Sequence, residues 1–256
     1  MNLVILSDYG LDDAVALAHI LGRRSMFGAI DVLAVAGNVS AENSLLNAKK
    51  LLSNFDGPTE GVRLVDTSGI AQPWSYLPSI HGEDGMGDLF GIKSLSVPVI
   101  SYNEWLADAD RPFTVLSLGP CTLTLDVIEK TGEHPLVIMG GLTKAEPNYK
   151  GYEFNHELDK QAFAQTVRHP HVIATLDTCR APQFNMIKKR TDGKAVIDRL
   201  INRAIELAAA RHPDNCYIYD YVAAQYLTSP EKFAAHKVKD PWGNTLNELK
   251  VTDGGN

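Results

Sequence analysis

The feature that most constrains this chain is a repeated pairing of a short apolar run with an amphipathic stretch. Leu3–Leu6 leads into Leu11–Leu21, which has helical periodicity, and Val32–Ala36 leads into Ala41–Leu52. Phe113–Leu118 leads into Thr122–Glu129, with further strand-like runs at Leu136–Met139 and His171–Leu176. The runs are β-branched and apolar on both sides, as expected of parallel strands covered on both faces. Strand–helix alternation of this kind predicts an α/β fold: an open, mostly parallel sheet flanked by helices. Helices are also expected at Ala195–Ala210 and near Tyr221–Leu227, with a frayed tail over Val251–Asn256. At 256 residues, with no linker-like boundary, the chain is expected to form a single domain over 1–256.

Two stretches break the rhythm. Residues 66–112 carry Pro73, Trp74, Tyr76, Pro78 and His81 with little periodicity, and residues 142–158 are polar, with Pro147, Asn148 and Gly151. Long irregular segments inside a compact domain tend to be functional.

Composition narrows the function classes. A net charge of −7 without a basic stripe argues against nucleic-acid binding. No apolar run approaches the length of a membrane span, and the N-terminus lacks a signal-peptide pattern. The three cysteines, Cys121, Cys179 and Cys216, are too far apart for a metal clip and odd in number, which fits a reducing, cytoplasmic setting. There is no GxxxxGK[ST] loop for phosphoryl transfer, and no His/Cys spacing for zinc.

The sharpest chemical signal is Ser7-Asp8-Tyr9-Gly10-Leu11-Asp12-Asp13, where the first strand gives way to the first helix. In open parallel sheets, ligands bind outside the carboxyl ends of the strands. Capping of the helix N-terminus accounts for one aspartate there, but three carboxylates so close repel one another. A hard divalent cation with oxygen ligands offsets that repulsion, and calcium suits the donor set better than zinc. Other polar residues fall at further strand ends: Asn38 in Ala36–Ser40, Thr122 after Gly119-Pro120, and Glu153 with Asn155, which would face one side of an extended segment. His81, in a glycine-rich loop, is a candidate proton donor, although a lone loop histidine is more often simply exposed. Asp220 precedes an apolar helix, where an N-cap role would also explain it.

Taken in order, these segments resemble the nucleoside hydrolase family of the inosine–uridine-preferring type. Leu6–Asp13 corresponds to its DTDPGxDD-type motif, followed by AGNVS at Ala36–Ser40, HGxDGxG at His81–Gly87, GPxT at Gly119–Thr122, MGG at Met139–Gly141, EFNxxxD at Glu153–Asp159, and the late Asp220. The resemblance covers roughly residues 2–227 and implies calcium-dependent hydrolysis of the N-glycosidic bond of ribonucleosides. It implies that Asp8, Asp13, the Thr122 carbonyl and Asp220 hold Ca2+, with Asp8 also the general base. Asp12, Asn38, Asn148, Glu153 and Asn155 would bind substrate, and His81 and Tyr219 would act on the leaving base. A homo-oligomer, dimer or tetramer, is implied as well. Three positions depart from the pattern: Leu6 replaces the first aspartate, Tyr9 a proline, and Tyr219 a histidine common before the last aspartate. Tyrosine is a weaker acid than histidinium, which keeps two other readings open: a different ribosyl or sugar substrate, or a non-catalytic nucleoside- or sugar-binding relative. The resemblance also implies that the usual final strand and helix of the family are missing or replaced.

Overall fold

The computed structural model describes residues 1–252. In chain order the elements are β1 (Leu3–Ser7), α1 (Leu11–Leu21), β2 (Ile30–Ala34), α2 (Ala41–Asn54), β3 (Val62–Asp66), α3 (Pro78–His81), β4 (Val99–Ser101), α4 (Tyr102–Ala107), β5 (Thr114–Ser117) and α5 (Thr122–Thr131). There follow β6 (Leu136–Met139), α6 (Phe154–Leu158), α7 (Lys160–Thr166), β7 (His171–Ala174), α8 (Leu176–Cys179), α9 (Val196–Ala209), α10 (Tyr219–Thr228), β8 (Phe233–Lys239) and β9 (Thr245–Val251).

The strands form one nine-stranded sheet in the order β4-β3-β2-β1-β5-β6-β7-β9-β8. Every neighbouring pair is parallel except β8 with β9. The expected open, mostly parallel sheet is therefore present. All residues of β1, β2 and β6 are buried, because helices cover both faces. Alternate residues of β1 serve two apolar cores: Leu3 and Ile5 pack toward α1, α2 and α9, while Val4 and Leu6 pack toward Trp105, Val127 and Phe163.

The strand order reverses beside β1: the chain winds outward through β2, β3 and β4, then returns to β5 on the other side. The carboxyl ends of β1 and β5 thus frame a crevice at a topological switch point, where ligands of such sheets bind.

Some expectations shift. The second strand runs Ile30–Ala34 rather than Val32–Ala36, which leaves Val35–Asn38 free to line the rim. The irregular stretch 66–112 contains α3, β4 and α4. The tail is ordered further than expected: Val251 ends β9, and the Thr252 N–H donates to the Lys232 carbonyl. Residues 253–256 lie outside the described residues. After α10 the chain forms the β8–β9 hairpin, and β9 joins β7 at the sheet edge. At the hairpin tip Trp242 stacks on Tyr152, with centroids 4.2 Å apart and planes 15° from parallel. Within β9 the fully buried Glu248 accepts from the Thr175 hydroxyl at 2.7 Å and the Thr143 hydroxyl at 3.0 Å. Among the described residues the three cysteines are free and buried, and no helix is long and apolar enough to cross a membrane.

Candidate active site

The site is built where β1 ends. Asp8 is fully buried, and both of its oxygens are held by Asn38, from the backbone N–H at 2.8 Å and the side-chain amide at 3.0 Å. Two glycines make room for it. A Cβ on Gly37 would lie 1.9 Å from Asp8 Oδ2, and one on Gly119 would lie 3.1 Å from Asp8 Cβ. Tyr9 then turns the chain at φ +42°, a strained value for a bulky side chain and one closed to proline. Its departure from the family pattern is thus a different backbone path, with the hydroxyl buried and unpartnered.

Asp13 bridges the turn. Its carboxylate accepts from the Ser7 hydroxyl at 2.8 Å and the Gly10 N–H at 2.9 Å, so it caps α1. Asp220 does not play the capping role that would otherwise explain it. Ile218 is the N-cap of α10, and Asp220 sits in the first turn with its side chain turned to Asp13. The first turns of α1 and α10 meet here because the two helices pack together. Asp12, Asp13 and Asp220 each offer an oxygen, all within 4.8 Å of one another.

The electrostatics of this cluster are one-sided. Burial first, and then mutual repulsion, hold the Asp8 and Asp220 carboxyls well above the usual range and push Asp13 up to about 6. A buried acid elsewhere shows the contrast. Burial alone would raise Asp31 too, but hydrogen bonds from Arg63 and Trp105 bring it below the ordinary carboxylate value. Among the described residues no lysine or arginine pairs with Asp8, Asp12, Asp13 or Asp220, and Asp12 Oδ1 is buried without a partner. Oxygen donors, a surplus of negative charge and an orphaned carboxylate oxygen fit a hard divalent cation. Of the residues expected to hold one, Asp13 and Asp220 belong to the close trio, whose third member is Asp12, while Asp8 lies beside them on its Asn38 donors. The Thr122 hydroxyl donates to Asp159 at 2.8 Å, which leaves its carbonyl as the atom the resemblance assigns.

Above the acids opens a cavity of about 410 Å³, within the range of small-molecule sites. Asp12, Asn38, His81, Asn148, Glu153 and Asn155 line it, as do Tyr219 and Asp220. A larger groove of about 760 Å³ near His171 and Lys237 contains none of the expected site residues.

His81 is the last residue of α3, and it is buried rather than exposed. Its Nδ1 accepts the Leu11 N–H at 3.1 Å, so in the neutral ring the proton is on Nε2. Burial lowers its pKa, and Asp12, 3.6 Å away, only partly opposes this. Gly82, Gly85 and Gly87 all take φ near +84°, as their spacing suggested, and so fold the loop back under His81.

Glu153 and Asn155 do share the pocket, but not as an extended pair. Glu153 caps α6 and Asn155 lies in its first turn. Glu153 accepts three backbone N–H groups, from Gly141, Asn155 and His156, at 2.9–3.0 Å. Burial outweighs them and pushes its pKa up to about 7. The Asn155 amide donates to the Leu118 carbonyl at 2.7 Å, which ties it to the end of β5. Of the tyrosines around Asp220, Tyr217 and Tyr219 line the cavity. Tyr221 instead packs edge-on against His19, and Trp74 is half-exposed outside.

Sequence reasoning missed Arg180 and Arg211, which also line the cavity. Arg180 donates from Nη1 to the Glu146 carbonyl at 2.6 Å and from Nε to the Tyr219 hydroxyl at 3.4 Å. A basic residue at a helix C-terminus is ordinary, so Leu176-Asp177-Thr178-Cys179-Arg180 carried no signal.

Comparison with known proteins agrees with this geometry. Residues 3–252 match the family described as inosine-uridine preferring nucleoside hydrolase, beyond the 2–227 span of the motifs. The chain is 28% identical over 178 residues to the non-specific ribonucleoside hydrolase RihC of Salmonella schwarzengrund, covering 66% of this chain and 58% of that protein. It is 30% identical over 176 residues to the RihC of Escherichia coli O7:K1, covering 63% and 56%. The matched region thus spans less than two thirds of the length of these curated relatives. Among solved structures, a purine-preferring ribonucleoside hydrolase from Gardnerella vaginalis superposes with a TM-score of 0.74 at 19% identity, over 99% of this chain and 89% of that one. An inosine-guanosine nucleoside hydrolase gives a TM-score of 0.72 at 19% identity, over 100% and 88%. With a family match running nearly end to end over these motifs, the chain belongs to the inosine-uridine preferring nucleoside hydrolases.

Proposed function

We propose that this protein hydrolyses the N-glycosidic bond of ribonucleosides, releasing base and ribose, with Ca2+ held by Asp8, Asp13, the Thr122 carbonyl and Asp220. The observation that carries the reading is the acid cluster, without a lysine or arginine partner among the described residues, at the floor of a nucleoside-sized cavity. When bound, the cation would supply Lewis-acid polarisation. Asp8, oriented by both Asn38 donors, accepts the proton of the attacking water. Asp12, Asn148, Glu153 and Asn155 hold the ribose hydroxyls. As the C1′–N bond lengthens, the sugar becomes oxocarbenium-like, and the carboxylates below it stabilise that positive charge. His81 offers an Nε2–H donor toward the base, and the Tyr219 hydroxyl a second.

The test is release of reducing sugar from inosine, uridine and a panel of other ribosides, by protein stripped of metal and then reloaded with Ca2+. Turnover of common nucleosides that is lost in Asp8→Ala is the expected result. No release from any of them refutes the reading. Calorimetric binding without turnover, or turnover confined to a non-nucleoside glycoside, would replace it with a binding protein or a different glycosidase.

A further inference from the structure

Resting on that reading, we propose that Arg180 is a catalytic residue: its guanidinium, working with the Tyr219 hydroxyl, takes up the negative charge that develops on the departing base.

Cleavage of an N-glycosidic bond sends the bonding electron pair to the base nitrogen. The water oxygen forms the new bond to C1′, the water proton goes to Asp8, and the base takes its own proton from solvent as it leaves. The pocket must therefore stabilise opposite charges at the two ends of one bond. The acid cluster serves the sugar end. At the base end His81 supplies no strong acid, since it is held as a neutral ring by the Leu11 N–H and by burial, and His212, the other histidine lining the cavity among the described residues, stands on its exposed rim.

Arg180 fills that need. It is permanently charged, lines the cavity, and among the described residues has no carboxylate partner to neutralise it. Its backbone is fixed as the C-cap of α8, where its N–H donates to the Leu176 carbonyl at 2.9 Å. The Glu146 carbonyl holds Nη1. The Nε–H donates to Tyr219 Oη, so the phenol proton is free to point elsewhere, into the cavity. Tyr219 directly precedes Asp220, which brings this cation to the edge of the acid floor. The result is a field along the bond to be broken, negative under the ribose and positive beside the base. The other cavity arginine, Arg211, stands on the exposed rim with Nη1 donating to the Ser79 carbonyl, and among the described residues it makes no hydrogen bond to Tyr219.

Arg180 could instead be a clamp joining the Glu146 loop to α10, and leaving-group dependence separates the two roles. The kinetics of R180Q, R180K and R180A are compared with wild type on inosine and on p-nitrophenyl riboside, whose phenolate carries its own charge. For R180Q we expect kcat on inosine to fall about 100-fold or more, the usual effect of removing a transition-state donor. KM should change far less, and the fall on p-nitrophenyl riboside should stay under tenfold. R180K should keep an intermediate rate, and guanidinium ion in the buffer should restore part of the R180A rate. Equal falls on both substrates, or a rise in KM alone, overturn the assignment in favour of a clamp. A wild-type protein that turns over neither substrate overturns the hydrolase reading and this inference together. Turnover by wild type with no effect of the Arg180 variants overturns the inference alone.

Discussion

Glu153 adds its own share, beside Asp8, Asp13 and Asp220, to how the metal-free fold responds to pH. Its carboxyl is fully enclosed, and burial raises it from an ordinary 4.5 to about 7, against three backbone donors that favour the ionised form. An acid whose folded pKa is raised binds its proton longer in the folded state than in the unfolded one. Unfolding between pH 4.5 and about 7 therefore releases a proton, and stability falls as pH rises through that window. At about 1.4 kcal/mol per tenfold, the group accounts for a loss of roughly 3 kcal/mol between pH 4.5 and pH 8. That is a large share of the 5–15 kcal/mol typical of a folded domain. Glu153→Gln removes the ionisation but sets an amide N–H2 against one of the three backbone donors, at a cost of roughly 1–3 kcal/mol. The expected pattern is a crossing: the variant less stable than wild type near pH 5, and equal or more stable near pH 8. Urea denaturation of both proteins in chelator across this range measures it. Parallel stability–pH curves for the two would refute the claim that burial overrides the backbone donors at this carboxyl.

Three further outcomes follow from the same geometry. Adding Ca2+ to stripped protein should raise Tm, by about 2.7 kcal/mol of stability at a hundredfold excess over Kd, and Asp13→Asn and Asp220→Asn should abolish most of that shift in a thermal melt. Gly37→Ala would bring a Cβ to 1.9 Å from Asp8 Oδ2 and 2.7 Å from Pro120, so activity should fall at least about 100-fold, whereas Gly69→Ala, with nothing within 4 Å, should match wild type. Tyr9→Phe removes a buried hydroxyl without a partner and should leave stability unchanged or raise it by up to about 1–2 kcal/mol; a clear loss in urea denaturation would reveal a partner for that oxygen.

The central strands were legible because burial on both faces leaves them as uninterrupted apolar runs, as in β1, β2 and β6. The edges were not. β3 carries Arg63 in its middle, tolerated because Asp31 on β2 pairs with it at 2.7 Å. β4 is only three residues long and mostly exposed, and β8, at the other edge, and its neighbour β9 mix polar with apolar residues rather than forming apolar runs. The acid floor was legible because its members sit in two helix first turns and one strand end, places where carboxylates stand out. The burial of His81, a candidate proton donor on sequence, was not legible because its contact with Leu11 spans 70 residues. Asn148 fared differently again: it does line the cavity, yet it is exposed on a turn set by Lys150 and Gly151 at positive φ.

The β8–β9 hairpin gives the pocket an order of assembly. Asp8, Asp12, Asp13 and Asn38 come from the first forty residues, and β1, β2 and their helices can gather them early. The loop bearing Asn148 and Glu153, already tied to Asp177 and Arg180, gains its last supports from the far end of the chain, with Trp242 lying on Tyr152 and Glu248 gripping Thr143 and Thr175. A chain emerging from the ribosome would thus present Asp8, Asp12 and Asp13 well before Asp220, the last member of the acid floor, is made. Those supports close over the pocket when β9 pairs with β7.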